Sequence, residues 1–283
     1  VAGLVVLFRD SADWRDDLSE STRKLWRPHL DRISHHFGTL SIKQFDRAEI
    51  RPHIIRWRDT RRATPRAADV GIQVLSRLMS FAVDQGLIRS NPCAGIGAIY
   101  SSDRAEVIWE PAELDKLART ASREVMWAAR LAILTGLRQD DCRTLLWSQV
   151  GELAIEKPTG KSRKHGLGEG RKVALIPIYA ELRNLLGEIE KRAPQVLTNT
   201  KGRPWGSGLS DSFADAARAA GIEKHFHDLR GTAATRLYRA DFSLREIAEI
   251  MGWEEDRVAR IINRYVRRGA LLRERIRRLD GGD

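Results

Sequence analysis

The sequence predicts a mainly α-helical protein: an N-terminal helical bundle followed by a larger, mostly helical domain with one small antiparallel β-hairpin. Three observations predict this. Apolar residues recur at helical spacing through the first hundred positions. The stretch 94–106 loses that periodicity and is rich in Gly, Ser and charge, as linkers between domains are. Two short strand-like runs, 153–156 and 173–178, flank a basic, glycine-rich tip. The expected organisation is a helical domain over 1–95, a linker over 96–108 and a second domain over 109–283.

Each element has a local reason. The apolar run 1–8 is far too short to span a bilayer. It lacks the basic start and the small-residue cleavage site of a signal peptide. A helix over 21–37 places Leu25, Leu30, Ile33 and Phe37 near one face, and Gly38 can stop it. Asp46 and Glu49 have capping-box spacing ahead of Ile50, Ile54 and Trp57. Thr64–Pro65 reads as an N-cap with proline at the first helical position. The helix it opens carries Val70, Val74, Leu78, Phe81 and Ala82 and ends at Gly86, and Asn91–Pro92 breaks the pattern. Pro111 opens a new helix. The run 125–134 is apolar enough to be buried on all sides, and Gly136 ends it. Beyond Pro177 the chain is helical again, with Ser243 and Glu246 spaced as a capping box before Ile247 and Ile250.

Charge narrows the partner. Lys and Arg number 49 against 38 acids, a net charge of +11 and a pI near 10.1, which points to a polyanion, most simply nucleic acid. A content of 42% apolar residues excludes a disordered chain. Cys93 and Cys142 are the only cysteines and neither neighbours a second metal-type ligand, so no metal site and no disulfide framework is expected. A reducing cytoplasm fits this, and no membrane association is expected.

The basic residues fall in clusters. Arg56, Arg58, Arg61, Arg62 and Arg66 crowd one helix end and the loop after it. Lys161, Arg163 and Lys164 occupy the hairpin tip, and Arg257, Arg260, Arg264, Arg267 and Arg268 surround Tyr265. A solvated face is one reading. The other is that these side chains touch phosphates, fixing position without reading sequence.

The second half also holds the parts for chemistry on a phosphodiester. Such esters yield to a weak nucleophile only when the charge developing on phosphorus is neutralised. Arginine suits this, being always charged and matching two phosphate oxygens with its fork. Thr135-Gly136-Leu137-Arg138 puts an arginine just past a buried helix, with Asp141 three residues on. His227-Asp228-Leu229-Arg230 puts His and Arg three apart. Gly252-Trp253 follows a helix, and Tyr265 lies near the end. Taken singly these are commonplace: Arg138 would cap a helix, His227 would sit at a helix start, Trp253 would anchor a core.

In this order, with a strand pair between the first and the second, they resemble the tyrosine recombinases, or phage integrases. The resemblance covers nearly the whole chain. It implies a core-binding domain followed by a catalytic domain of the DNA breaking-rejoining fold, clamped around duplex DNA. It implies that Tyr265 attacks the scissile phosphate to give a 3′-phosphotyrosine and a free 5′-hydroxyl. Arg138 and Arg230 would hold the non-bridging oxygens, and His227 would take the tyrosine proton or hold the phosphate. A hairpin lysine would protonate the leaving oxygen: Lys161, nearer the tip, is preferred, with Lys157 as the alternative. Trp253 stands where many members have His; its indole can donate to phosphate but cannot shuttle a proton. Asp141 would orient its neighbours. Trp253 and Tyr265 are twelve apart, more than in many members, and one extra helical turn would absorb the difference.

The DNA contacts would include Arg61, Arg62, Arg66, Arg163, Lys164 and Arg264. The resemblance further implies no cofactor, since transesterification conserves the bond energy. It implies a homo-tetramer on double-stranded DNA, coupled by C-terminal tails and monomeric or weakly dimeric when free. DNA-bending accessory proteins and a prokaryotic cytoplasmic, nucleoid-associated location complete it. Integration or excision of a mobile element is the expected role. A type IB topoisomerase-like enzyme, or a DNA-binding protein without catalysis, are the other readings.

Overall fold

The computed structural model describes residues 1–101, 107–158 and 173–253, together with 255, 256, 258, 259 and 262. The chain divides into two units, Val1–Ser102 and Asp103–Asp283.

The first unit is helical throughout: α1 (Ala2–Asp10), α2 (Ala12–Arg15), α3 (Glu20–Phe37), α4 (Ile50–Asp59) and α5 (Pro65–Asp84), with a 3₁₀ turn at Ile42–Asp46. Ser19 starts α3 by accepting from the Thr22 amide at 3.2 Å, one of the donors a helix start leaves unpaired. Leu30, Ile33 and Phe37 then face inward, while Leu25 is exposed. Phe37 meets Phe45 and Trp57 edge-on, at 5.8 and 5.3 Å between ring centres. Burying a side chain of this size contributes about 1.5–3 kcal/mol, so this cluster and the inner face of α5 hold the unit together.

Two expected caps take another form. Glu49 precedes α4 without a side-chain bond, and Asp46 accepts instead from the Arg89 amide at 2.7 Å. Thr64 likewise makes no side-chain cap, leaving Pro65 to set the start of α5.

The segment after α5 is fastened to the same unit. Arg51 donates to the carbonyls of Pro92 and Ala94 at 3.0 and 2.6 Å. Arg58 donates to the Gly97 carbonyl at 2.8 Å. Asp69 accepts from the amides of Ile99 and Tyr100 at 3.0 and 2.8 Å.

The second unit centres on α7 (Arg123–Thr135). Val125, Trp127, Ala128, Ala129, Leu131, Ala132 and Leu134 are buried, but Met126, Arg130 and Ile133 are only half-buried and Arg130 pairs with Glu188 at the surface, so the helix keeps one accessible edge where the apolar run predicts burial on all sides. Around it pack α6 (Pro111–Thr120), α8 (Gln139–Arg143), α9 (Ala180–Glu188), α10 (Gly208–Ala219) and α11 (Leu229–Arg239). Strands β1 (Ala154–Pro158) and β2 (Val173–Pro177) pair antiparallel, Glu156 opposite Leu175. The pleat turns Ile155, Lys157, Ala174 and Ile176 inward. Helix α12 (Leu244–Met251) packs on β2. The architecture is thus mainly helical with one two-stranded sheet among the described residues.

Two joints position candidate site residues. Gly136 ends α7 at φ +65°, and a Cβ there would come within 2.4 Å of Met251 Cε; the position needs both the left-handed backbone and the missing side chain. Ser243 accepts from the Glu246 amide at 3.2 Å and Glu246 from the Ser243 amide at 2.7 Å, the predicted capping box at the start of α12.

Candidate active site

Because Gly136 turns the chain sharply, Arg138 becomes the N-cap of the short helix α8. Its Nη1 lies 3.8 Å from Oδ2 of Asp141, one turn on. Asp141 is only 1% exposed, so the arginine is drawn toward the interior while a quarter of its side chain stays accessible. Cys142, the next residue, is fully buried. Burial pushes its thiol well above the usual value and the Asp141 charge pushes the same way, while the charges of Arg230 and Lys157 oppose them. Cys142 therefore marks the place where α8, α11 and β1 bring one acid and two cations within electrostatic reach.

Arg230 comes from the first turn of α11 and is 3% exposed. Its guanidinium carbon sits 4.5 Å from the centre of the Trp253 ring, a cation–π contact that orients the fork. Trp253 follows Gly252, the left-handed C-cap of α12, and its amide donates to the Ala248 carbonyl at 2.8 Å. His227 is exposed on the 3₁₀ turn Phe226–Asp228. That turn is anchored on both sides. Phe226 meets Phe213 edge-on at 5.1 Å, and Asp228 accepts from the His225 amide at 2.7 Å.

Lys157, inward on β1 and 3% exposed, donates to the Thr144 carbonyl at 2.6 Å and to Oε1 of Gln149 at 3.1 Å. Sequence reasoning did not single out Gln149. Its bonding partners lie at the far end of a turn and on a strand, so no local pattern announces it.

The structure thus brings together Arg230, Trp253, Lys157 and the Arg138–Asp141 pair, with His227 three residues before Arg230. Lys161, Arg163, Lys164, Arg264 and Tyr265 lie outside the described residues. In the first unit, Arg62 and Arg66 are exposed, and Arg66 reaches over the Tyr100 ring at 5.8 Å. Arg61 is half-buried; burial first, then the Arg32 charge, lowers its pKa. A cavity of about 590 Å³ lined by Thr120, Asn199, Lys201, Trp205 and Asp215 shares no residue with the Arg–His cluster. Among the described residues no group of three or more His, Cys, Asp or Glu is placed to hold a metal ion, and no helix is long and apolar enough to cross a membrane.

The chain belongs to the phage integrase family, whose model matches residues 110–269. This is the family of tyrosine-type site-specific recombinases.

Among its curated relatives is a XerC-like tyrosine recombinase of Caldanaerobacter subterraneus subsp. tengcongensis, 24% identical over 223 residues that cover 63% of this chain. The match spans 56% of the length of that relative. The integrase of Mycobacterium phage L5 is 26% identical over 269 residues, 86% of this chain and 70% of its own length. The solved structure of a lambda integrase dimer bound to a COC′ core site has the same fold, with a TM-score of 0.74 and 19% identity over 92% of this chain and 94% of that one. The Tn1549 transposon integrase in complex with circular intermediate DNA gives a TM-score of 0.67 and 17% identity, over 93% of this chain and 94% of that one.

Proposed function

We propose that this chain is a site-specific DNA recombinase that cuts and rejoins strands through a covalent bond between Tyr265 and a 3′ phosphate. One observation carries the reading: Arg230 is held over Trp253 beside a junction where Lys157 and Asp141 also meet, and Arg138 is tied to that same Asp141. Concentrated, oriented positive charge is what a phosphorus centre needs as it gains a fifth oxygen.

The roles follow from chemistry. Arg138 and Arg230 neutralise the non-bridging oxygens, and Trp253 orients Arg230. His227, accessible from solvent, takes the tyrosine proton or holds the phosphate. Lys157, the alternative to Lys161, is the acid taken here, because it stands within reach of the junction that Arg230 and Asp141 share. One ester is exchanged for another, so neither ATP nor a metal is consumed or required.

The partner is double-stranded DNA. Arg61, Arg62 and Arg66 in the first unit, with Arg163, Lys164 and Arg264, contact it. Lambda integrase has been solved as a tetramer bound to a Holliday junction, and a homo-tetramer on DNA is the assembly we propose here. Accessory proteins that bend DNA can assist, since bending depends on sequence outside the contacted core. The role is integration or excision of a mobile element at the nucleoid of a prokaryotic cell.

The test is a duplex selected from a random pool by binding and nicked beside the scissile phosphate. A covalent adduct that forms equally in EDTA and is absent in Tyr265→Phe is the expected result. A strict Mg²⁺ requirement, or binding without any adduct, overturns the mechanism. Exchange between two sites supports a recombinase, whereas relaxation of supercoils without exchange supports a topoisomerase.

A further inference from the structure

We infer that Gln149 is a positioning residue for Lys157, holding its ammonium so that a proton reaches the departing 5′ oxygen; this rests on the strand-cleavage reading above. The Lys157 ammonium is buried and donates to the Thr144 carbonyl at 2.6 Å and to Gln149 Oε1 at 3.1 Å. Gln149 is itself fixed. The same Oε1 accepts from the Leu146 amide at 3.0 Å and so closes the 3₁₀ turn Trp147–Gln149. One oxygen serves two donors, and the side chain cannot rotate away without losing both.

The chemistry of these acceptors matters. A buried ammonium stays charged only if it is hydrogen-bonded. The Thr144 carbonyl and the Gln149 amide oxygen are acceptors that help keep the proton on nitrogen and fix the direction of the ammonium. Thr144 caps the C-terminal end of α8, whose N-cap is Arg138. The segment 138–149 therefore fixes the arginine at one end and the lysine's acceptors at the other.

In the step concerned, the Tyr265 oxygen bonds to phosphorus after giving its proton to His227. The P–O5′ bond breaks with its electron pair on oxygen, and a proton passes from Lys157 Nζ to O5′. The products are a phosphotyrosine, a 5′-hydroxyl and a neutral lysine amine.

The experiment compares two duplexes, one ordinary and one with sulfur at the bridging 5′ position, whose thiolate leaves without being protonated. Lys157→Met and Gln149→Met should both slow cleavage of the ordinary duplex, the latter by about 10–100-fold, and both should recover on the sulfur duplex. Gln149→Glu keeps an acceptor for the Leu146 amide and so preserves the turn. It should move the alkaline limb of the pH–rate profile upward, and Gln149→Met should move it downward. Gln149→Met slowed equally on both duplexes, or on neither, overturns the inference while leaving the proposed function intact. So does Lys157→Met without recovery, which would place the acid elsewhere, on Lys161 for instance. If the unaltered chain forms no adduct on either duplex, the proposed function fails and this inference with it.

Discussion

The two arginines of the candidate site are housed differently. Arg230 is 3% exposed and sits over the Trp253 ring, itself 7% exposed. Arg138 keeps 25% of its side chain accessible and meets Asp141 only at 3.8 Å, and the accessible His227 likewise faces solvent. A guanidinium already locked in a low-dielectric wall acts on arriving charge at little ordering cost. An accessible one can follow the phosphate in and adjust. On the proposed reading, one half of the site is built in advance and the other half admits the substrate.

The sharpest way to break this comparison is Arg230→Lys. It keeps the charge but loses the planar fork and the stacking. Cleavage of the nicked duplex should fall by about 10²–10³-fold, on the order of 3–4 kcal/mol of barrier. Next comes Gly136→Ala, which strains a left-handed position and pushes on Met251. A loss of about 2 kcal/mol in urea unfolding is expected, and an unchanged midpoint would show that α12 gives way freely. Arg138→Lys should cost less, roughly tenfold in cleavage or about 1.4 kcal/mol, because its head is only loosely held. Equal losses at 138 and 230 would end the distinction drawn above. The smallest effect belongs to Ser243→Ala, which removes the acceptor for the Glu246 amide. About 1 kcal/mol of stability should be lost in thermal melting, through the helix that delivers Trp253 to Arg230.

Much of this was legible in the sequence where the cause is local. The glycines that end α7 and α12 and the Ser243–Glu246 box each depend on residues a turn apart. The chain order of Arg138, His227, Arg230 and Trp253 was legible as well, as was the hairpin between the first two. What could not be read depends on distant partners. Asp46 has the spacing of a cap, but its carboxylate is used by an amide 43 residues later. Lys157 is the less favoured lysine by its place beside Pro158, and no local pattern tells that the pleat turns it inward onto acceptors 8 and 13 residues earlier. The stacking of Arg230 on Trp253 joins two helices whose contact no spacing rule encodes.

The two cysteines have a use unrelated to phosphate chemistry. Cys93 lies in the core of the first unit and Cys142 in that of the second. Burial pushes the Cys93 thiol up to about 12 and raises that of Cys142 too. Only the thiolate reacts with alkylating reagents, so each side chain is inert while its unit stays closed. When a unit opens, its own cysteine becomes reactive. Each unit thus carries a natural clock of its opening, and the rates of alkylation at the two positions, read by mass spectrometry from one sample, report the two openings separately.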